Sequence, residues 1–215
     1  MRSAFRSRAV RSDPDDFEIA RQYQVRKQDK HRVEMRLIDR AFALIPKSHR
    51  VLDVPCGGGR VSLHLSTKGY TMSLGDLSEP MLAIARENVA DAGLSCSVER
   101  QDIEALTHRD RAFDTIISFR LFHHFPNPDI RRRAVRELCR VAGKFVVLSY
   151  FSTKSVTSLR RKLQAALGGK KSYKHSTPLR EVCGYFEDAG FALVKDFAEM
   201  PVIHTLHLAV FKRRP

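Results

Sequence analysis

Apolar residues recur along this chain at two periods, and the switches between them predict its elements. Over residues 30–45, Val33, Leu37, Ala41 and Leu44 fall at helical spacing, with Ile38, Phe42 and Ile45 widening the apolar face. Pro46 ends that helix. Residues 50–54 read as a strand, the glycines after them as a tight turn, and residues 60–68 as a helix closed by Gly69. Residues 70–75 make a second strand. Residues 78–92 make a helix with Ser78 as N-cap and Glu79 in its first turn. Strands follow at 95–100 and 113–119, a helix at 130–140, and a fifth, strongly apolar strand at 144–150.

Strands alternating with helices predict an α/β fold: a Rossmann-like, mainly parallel sheet with helices on both faces. After residue 151 the alternation breaks. Residues 152–180 are polar and basic. A helix over 178–190 and strands over 191–196 and 204–211 then predict an antiparallel end to a seven-stranded sheet. The 215 residues suit a single domain, 1–215, with a basic N-terminal segment at 1–29 and a basic lid insertion at 152–180.

Charge sharpens this division. The net charge is +14, and residues 152–180 carry eight basic and no acidic side chains. Such a field favours an anionic partner, either nucleic acid, an acidic membrane surface or a charged substrate, or it serves solubility alone. Within the insertion, Val156, Leu159, Leu163 and Leu167 form a helical stripe interleaved with Arg160, Arg161 and Lys162. A basic amphipathic helix can lie on an anionic membrane, bind acidic groups or pack with a solvated back. Residues 1–12 are rich in Arg and Ser, as a transit peptide would be, but they run into the acidic stretch 13–16 and read better as a basic tail. No apolar run reaches membrane-spanning length. Cys56, Cys96, Cys139 and Cys183 form no CxxC pair and have no His at metal spacing, so they read as reduced thiols of an intracellular, cytoplasmic protein, and no metal is implied.

The chemistry concentrates at Val51-Leu-Asp-Val-Pro-Cys-Gly-Gly-Gly-Arg60. In an open α/β sheet, ligands bind at the carboxyl ends of the strands, and glycine in the first turn lets backbone approach the ligand and adopt positive φ. A dinucleotide fingerprint fits poorly, because its third glycine falls on Ser62, and no GxxxxGK[ST] phosphate loop is present. The run resembles instead the first motif of class I S-adenosylmethionine-dependent methyltransferases, an acid followed by GxGxG, with Pro55 in place of the first glycine. The similarity extends from about residue 50 to 211 and is nearest to the small single-domain enzymes that include quinone-biosynthesis methyltransferases.

That resemblance implies S-adenosylmethionine as cofactor and assigns its contacts. Asp76, ending the second strand, matches the acid that accepts from the ribose hydroxyls; a helix N-cap is the structural alternative. Asp102 matches the residue that accepts from the adenine amine, or it is a solvated loop acid, and Ile103 and Leu77 pack against the base. Asp53 is expected near the cofactor's amino-acid end, or bonded to the amides of the glycine turn. Pro55, Cys56, Gly57 and Gly59 form that turn, with Cys56 a small filler, and Phe119 ends the fourth strand beside it. The segment after that strand faces the acceptor in similar enzymes, which makes His123 or His124 the candidate base, or a packing histidine. Tyr23, Arg21, Arg26 and Lys30 are expected on the other side of the site.

The expected reaction is methyl transfer to a small-molecule or lipid-like acceptor, which can carry an anionic group, with oxygen or carbon favoured as the target. The position reads Ser118-Phe-Arg-Leu121 where exocyclic-amine methylases of nucleic-acid bases carry an Asn/Asp-Pro-Pro-aromatic run. Two alternatives stand beside this: an RNA methyltransferase using the basic surface, and a non-catalytic cofactor-binding partner subunit. An anionic membrane surface and RNA are the candidate macromolecular partners, the former implying a membrane-peripheral location.

Overall fold

A computed structural model describes residues 28–153, 175–198 and 205–215. Residues 1–27, most of the 152–180 insertion with its Val156–Leu167 stripe, and Met200-Pro201 lie outside the described residues. Tyr23, Arg21 and Arg26 lie outside them too.

The elements run α1 (Gln28–Phe42), β1 (Arg50–Asp53), α2 (Arg60–Thr67), β2 (Thr71–Asp76), α3 (Glu79–Asp91), β3 (Ser97–Arg100), β4 (Phe113–Ser118), a 3₁₀ turn (Phe122–His124), α4 (Pro128–Val141), β5 (Ala142–Phe151), α5 (Leu179–Glu187), β6 (Phe191–Ala198) and β7 (Leu206–Arg213). They form one seven-stranded sheet in the order β3-β2-β1-β4-β5-β7-β6. Every neighbouring pair from β3 to β5 is parallel. β7 runs antiparallel to both β5 and β6 and sits between them, so the last strand in sequence lies one in from the edge.

Each face is covered as the alternation predicts. On one side α1, α2 and α3 set Ile38, Ala41, Phe42, Leu65 and Leu82 against Val51, Met72 and Val147. On the other, α4 and α5 set Ile130, Val135, Leu138 and Phe186 against Val146, Leu148 and Phe211. Phe186 and Phe211 stack at 3.7 Å between centroids. β5 is buried along its C-terminal half, which explains its unbroken apolar run.

Most helix ends carry chemistry read in the sequence. Ser78 is the N-cap of α3, accepting from the Met81 N–H, and Glu79 lies in the first turn. Gly69 and Gly190, with φ of +86° and +80°, follow the ends of α2 and α5. The α1 stripe differs from expectation at its end. The helix stops at Phe42, the chain turns, and Leu44 is exposed while Met35 and the acid Glu34 are buried. Among the described residues no helix is long and apolar enough to cross a membrane.

Candidate active site

The chain leaves β1 for β2 and β3 on one side and returns to β4 on the other. This reversal opens a crevice at the carboxyl ends of β1 and β4, where open sheets of this kind bind ligands. Residues 54–59 cross it. The Val54–Pro55 peptide is cis. The Cys56 N–H donates to the Gly75 carbonyl at 2.9 Å, which ties the turn to β2. Gly57 has φ +54° and Gly59 has φ +81°, left-handed values that a side chain resists. A Cβ on Gly59 would lie 3.1 Å from Leu74 Cδ2, whereas one on Gly57 would meet nothing within 4 Å. Gly59 therefore lets α2 pack on the sheet, and Gly57 leaves bare backbone facing open space.

Asp76 is the acid that closes this turn. It is buried, and its carboxylate accepts from the Gly57 N–H at 2.8 Å and the Ser78 N–H at 2.9 Å. Burial raises its pKa and these main-chain donors oppose that shift. The N-cap of α3 is Ser78, so Asp76 joins the glycine turn to β2 rather than capping the helix. The Asp76 carbonyl in turn accepts from Gln101 N–H at 2.8 Å, which sets residues 101–103 beside it. Asp102 follows directly; its Oδ1 accepts from the Glu104 N–H at 3.0 Å. Ile103 is buried and Leu77 half-buried. Gln101 is itself buried and bonds Thr107 through both ends of its amide, which shapes the loop that carries Asp102.

Asp53 lies below the turn and does not bond its amides. Its Oδ2 accepts from Ser62 Oγ at 2.7 Å, while Oδ1 is buried with no partner among the described residues. Ser62 occupies the place where a dinucleotide fingerprint has its third glycine, so the misfit in the sequence has a structural cause. Burial raises the Asp53 carboxyl to about 7; the Ser62 bond and Arg60 pull the other way, and Asp76 adds to the rise. Cys56 is buried, its thiol pushed well above the ordinary range by desolvation, consistent with a filler.

Beyond β4, Phe119 is buried and His123 stacks flat on Phe151, with centroids 3.9 Å apart and planes 6° apart. His124 is half-buried, its ring 4.2 Å from that of His123. The His123 carbonyl accepts from the His175 N–H at 2.7 Å, so the end of the insertion returns to this point.

Three residues far apart in the sequence meet beside this turn. Glu34 of α1, 3% exposed, bonds Arg60 Nη2 at 2.5 Å and Arg120 Nη1 at 2.8 Å. Their signal was faint: one acid set into the most apolar face of α1. Among the described residues no group of three His, Cys, Asp or Glu could hold a metal.

Bare backbone at Gly57, the orphaned Asp53 Oδ1, and an acid at the end of β2 suit a nucleoside bearing an amino-acid tail. The sheet order with this turn defines a class I methyltransferase fold. The methyltransferase domain family matches residues 51–144. A ubiquinone biosynthesis O-methyltransferase of Coxiella burnetii is 32% identical over 121 residues, 56% of this chain and 49% of that protein. One from Azoarcus sp. (strain BH72) is 29% identical over 67% of this chain and 65% of its own length. The chain thus spans about half to two thirds of the length of these curated relatives. The crystal structure of magnesium protoporphyrin IX methyltransferase from Synechocystis PCC 6803, with bound S-adenosylhomocysteine (SAH), superposes with TM-score 0.71 at 16% identity, covering 100% of this chain and 90% of that one. A S-adenosylmethionine-dependent methyltransferase from Methanosarcina mazei gives 0.67 at 18% identity, over 79% and 94%. The chain is thus similar to methyltransferases over residues 51–144 and has the fold of the class I S-adenosylmethionine-dependent enzymes.

Proposed function

We propose that this protein transfers a methyl group from S-adenosylmethionine to an oxygen of a small-molecule acceptor. The observation that carries this reading is the Asp76 carboxylate bridging the Gly57 and Ser78 amides, because it makes the diol-binding acid and the glycine turn one rigid cradle. Similarity to O-methyltransferases supports oxygen as the target.

Asp76 accepts from the ribose hydroxyls with the lone pairs its two amide bonds leave over. Asp102 accepts from the adenine amine, and Leu77 and Ile103 flank the base. Pro55, Cys56, Gly57 and Gly59 present main chain to the amino-acid tail, and Asp53, whose buried Oδ1 has no partner among the described residues, serves that end. Phe119 closes the floor. The sulfonium supplies a methyl group open to in-line attack. The protein aligns the acceptor oxygen and excludes water, which is most of the catalysis such a displacement needs. A hydroxyl acceptor must also lose its proton, and His123 or His124 takes it.

Incubation with methyl-labelled S-adenosylmethionine and a panel of phenols tests this. Label should move to a phenol in wild type, and the His123→Ala or His124→Ala change should lower kcat by about 10²-fold or more, with loss of the acidic limb of the pH profile. Absence of transfer to every phenol would oppose O-methylation, and undiminished kcat in both variants would remove the histidine base.

A further inference from the structure

Glu34 lies against the crevice with a different arginine on each carboxylate oxygen. Arg60 opens α2 straight after the glycine turn, and Arg120 follows β4, so the two reach Glu34 from opposite sides of the switch point. Among the described residues the surrounding charges do not balance them. His31, one turn before Glu34, meets Arg60 Nη1 at 3.4 Å, and desolvation followed by Arg60 lowers its pKa, so it is neutral at pH 7. Asp53 faces Arg60 from below, but with its carboxyl raised to about 7 it carries only part of a charge. Among the described residues, two guanidiniums therefore meet one full carboxylate. A single arginine would neutralise Glu34, and a second, part-buried one adds desolvation cost without a counter-ion among the described residues.

Arg120 carries three further marks. It has φ +64°, a left-handed backbone that costs a side-chain-bearing residue of order 1 kcal/mol and collects at functional sites. Its N–H donates to Ser149 Oγ at 2.5 Å, which pins that conformation. Its Nε is buried with no acceptor among the described residues. Two aromatic rings border the pair: Phe151, 5.9 Å from the Arg120 guanidinium, and Phe119, 5.5 Å from that of Arg60.

We propose that Arg120, backed by Arg60, binds a carboxylate of the methyl acceptor, one carried on a flat apolar body beside Phe119 and Phe151. This rests on the methyl-transfer reading and narrows its substrate class to carboxylic acids. Glu34 shows that the two guanidinium forks suit a carboxylate, and its role is to hold them apart and facing the crevice.

Equilibrium dialysis of radiolabelled benzoate against the full chain, with SAH at saturation, tests the proposal, and benzamide is the uncharged control. Wild type should bind benzoate saturably and benzamide at least about tenfold more weakly, since a hydrogen bond to a charged group is the difference between them. Arg120→Gln should weaken benzoate by roughly ten- to a hundredfold, with SAH affinity within about twofold of wild type. Arg120→Lys, which keeps the charge, should recover part of the loss. Equal binding of benzamide, no benzoate binding by wild type, or an unaffected Arg120→Gln variant would each overturn it. If Arg120→Gln weakens SAH as much as benzoate, the anion is the cofactor's own carboxylate; the acceptor site then falls while methyl transfer stands. Failure of the wild-type chain to bind SAH would remove the methyl-transfer reading, and this proposal with it.

Discussion

Two glycines two positions apart do different work in the same turn. Both have positive φ, which costs alanine about 1 kcal/mol. Only Gly59 also faces a neighbour, Leu74 Cδ2 at 3.1 Å from an added methyl. Gly59→Ala should therefore lower folding stability by roughly 2 kcal/mol, read by urea denaturation. Gly57→Ala should cost about half that, yet weaken SAH at least about tenfold, because its methyl enters the space over the turn. The reverse pattern would place the ligand elsewhere. Single residues were unevenly legible in the sequence. Asp53, Asp76 and the glycines follow from their place at the end of a strand or just beyond it. Glu34, Arg60 and Arg120 were not legible as a cluster, because their contacts join positions 26 and 86 residues apart.

Between elements, the bond from Asp53 on β1 to Ser62 on α2 fastens that helix to the sheet. Burial of the Asp53 carboxyl, which outweighs that bond, makes stability depend on pH. The folded carboxyl titrates near 7 and the unfolded one near 4, so the folded state holds this proton more tightly. The stabilisation is complete below the unfolded value and is lost as pH rises through the folded one. Denaturation between pH 4.5 and 8 should show stability falling by up to about 4 kcal/mol from this group, and Asp53→Asn should remove that slope. A wild-type chain with a flat profile across that range would contradict it. Element identity was well predicted because apolar spacing is a local property. Ends were less so: α1 stops at Phe42 rather than residue 45, and β7 inserts inside β6, an arrangement fixed by pairing across the sheet that no local pattern encodes.

At the scale of the molecule, a helix-flanked sheet whose strand order reverses beside β1 brings distant chemistry to one crevice. The glycine turn, Asp76, the loop after β3 and the segment after β4 all lie at the carboxyl ends of parallel strands. That convergence was legible, since strand-helix alternation and the order of the motifs imply it. The partner of the basic surface was not, because charge names a sign and not a molecule, and the most basic segment lies outside the described residues. Direct binding of radiolabelled S-adenosylmethionine to the full chain, compared between wild type and Asp76→Asn, bears most closely on the whole account. It predicts saturable binding at one site, weakened at least about tenfold when the carboxylate becomes an amide that keeps only one acceptor oxygen. No binding by wild type, or equal binding by a folded Asp76→Asn variant, would contradict it.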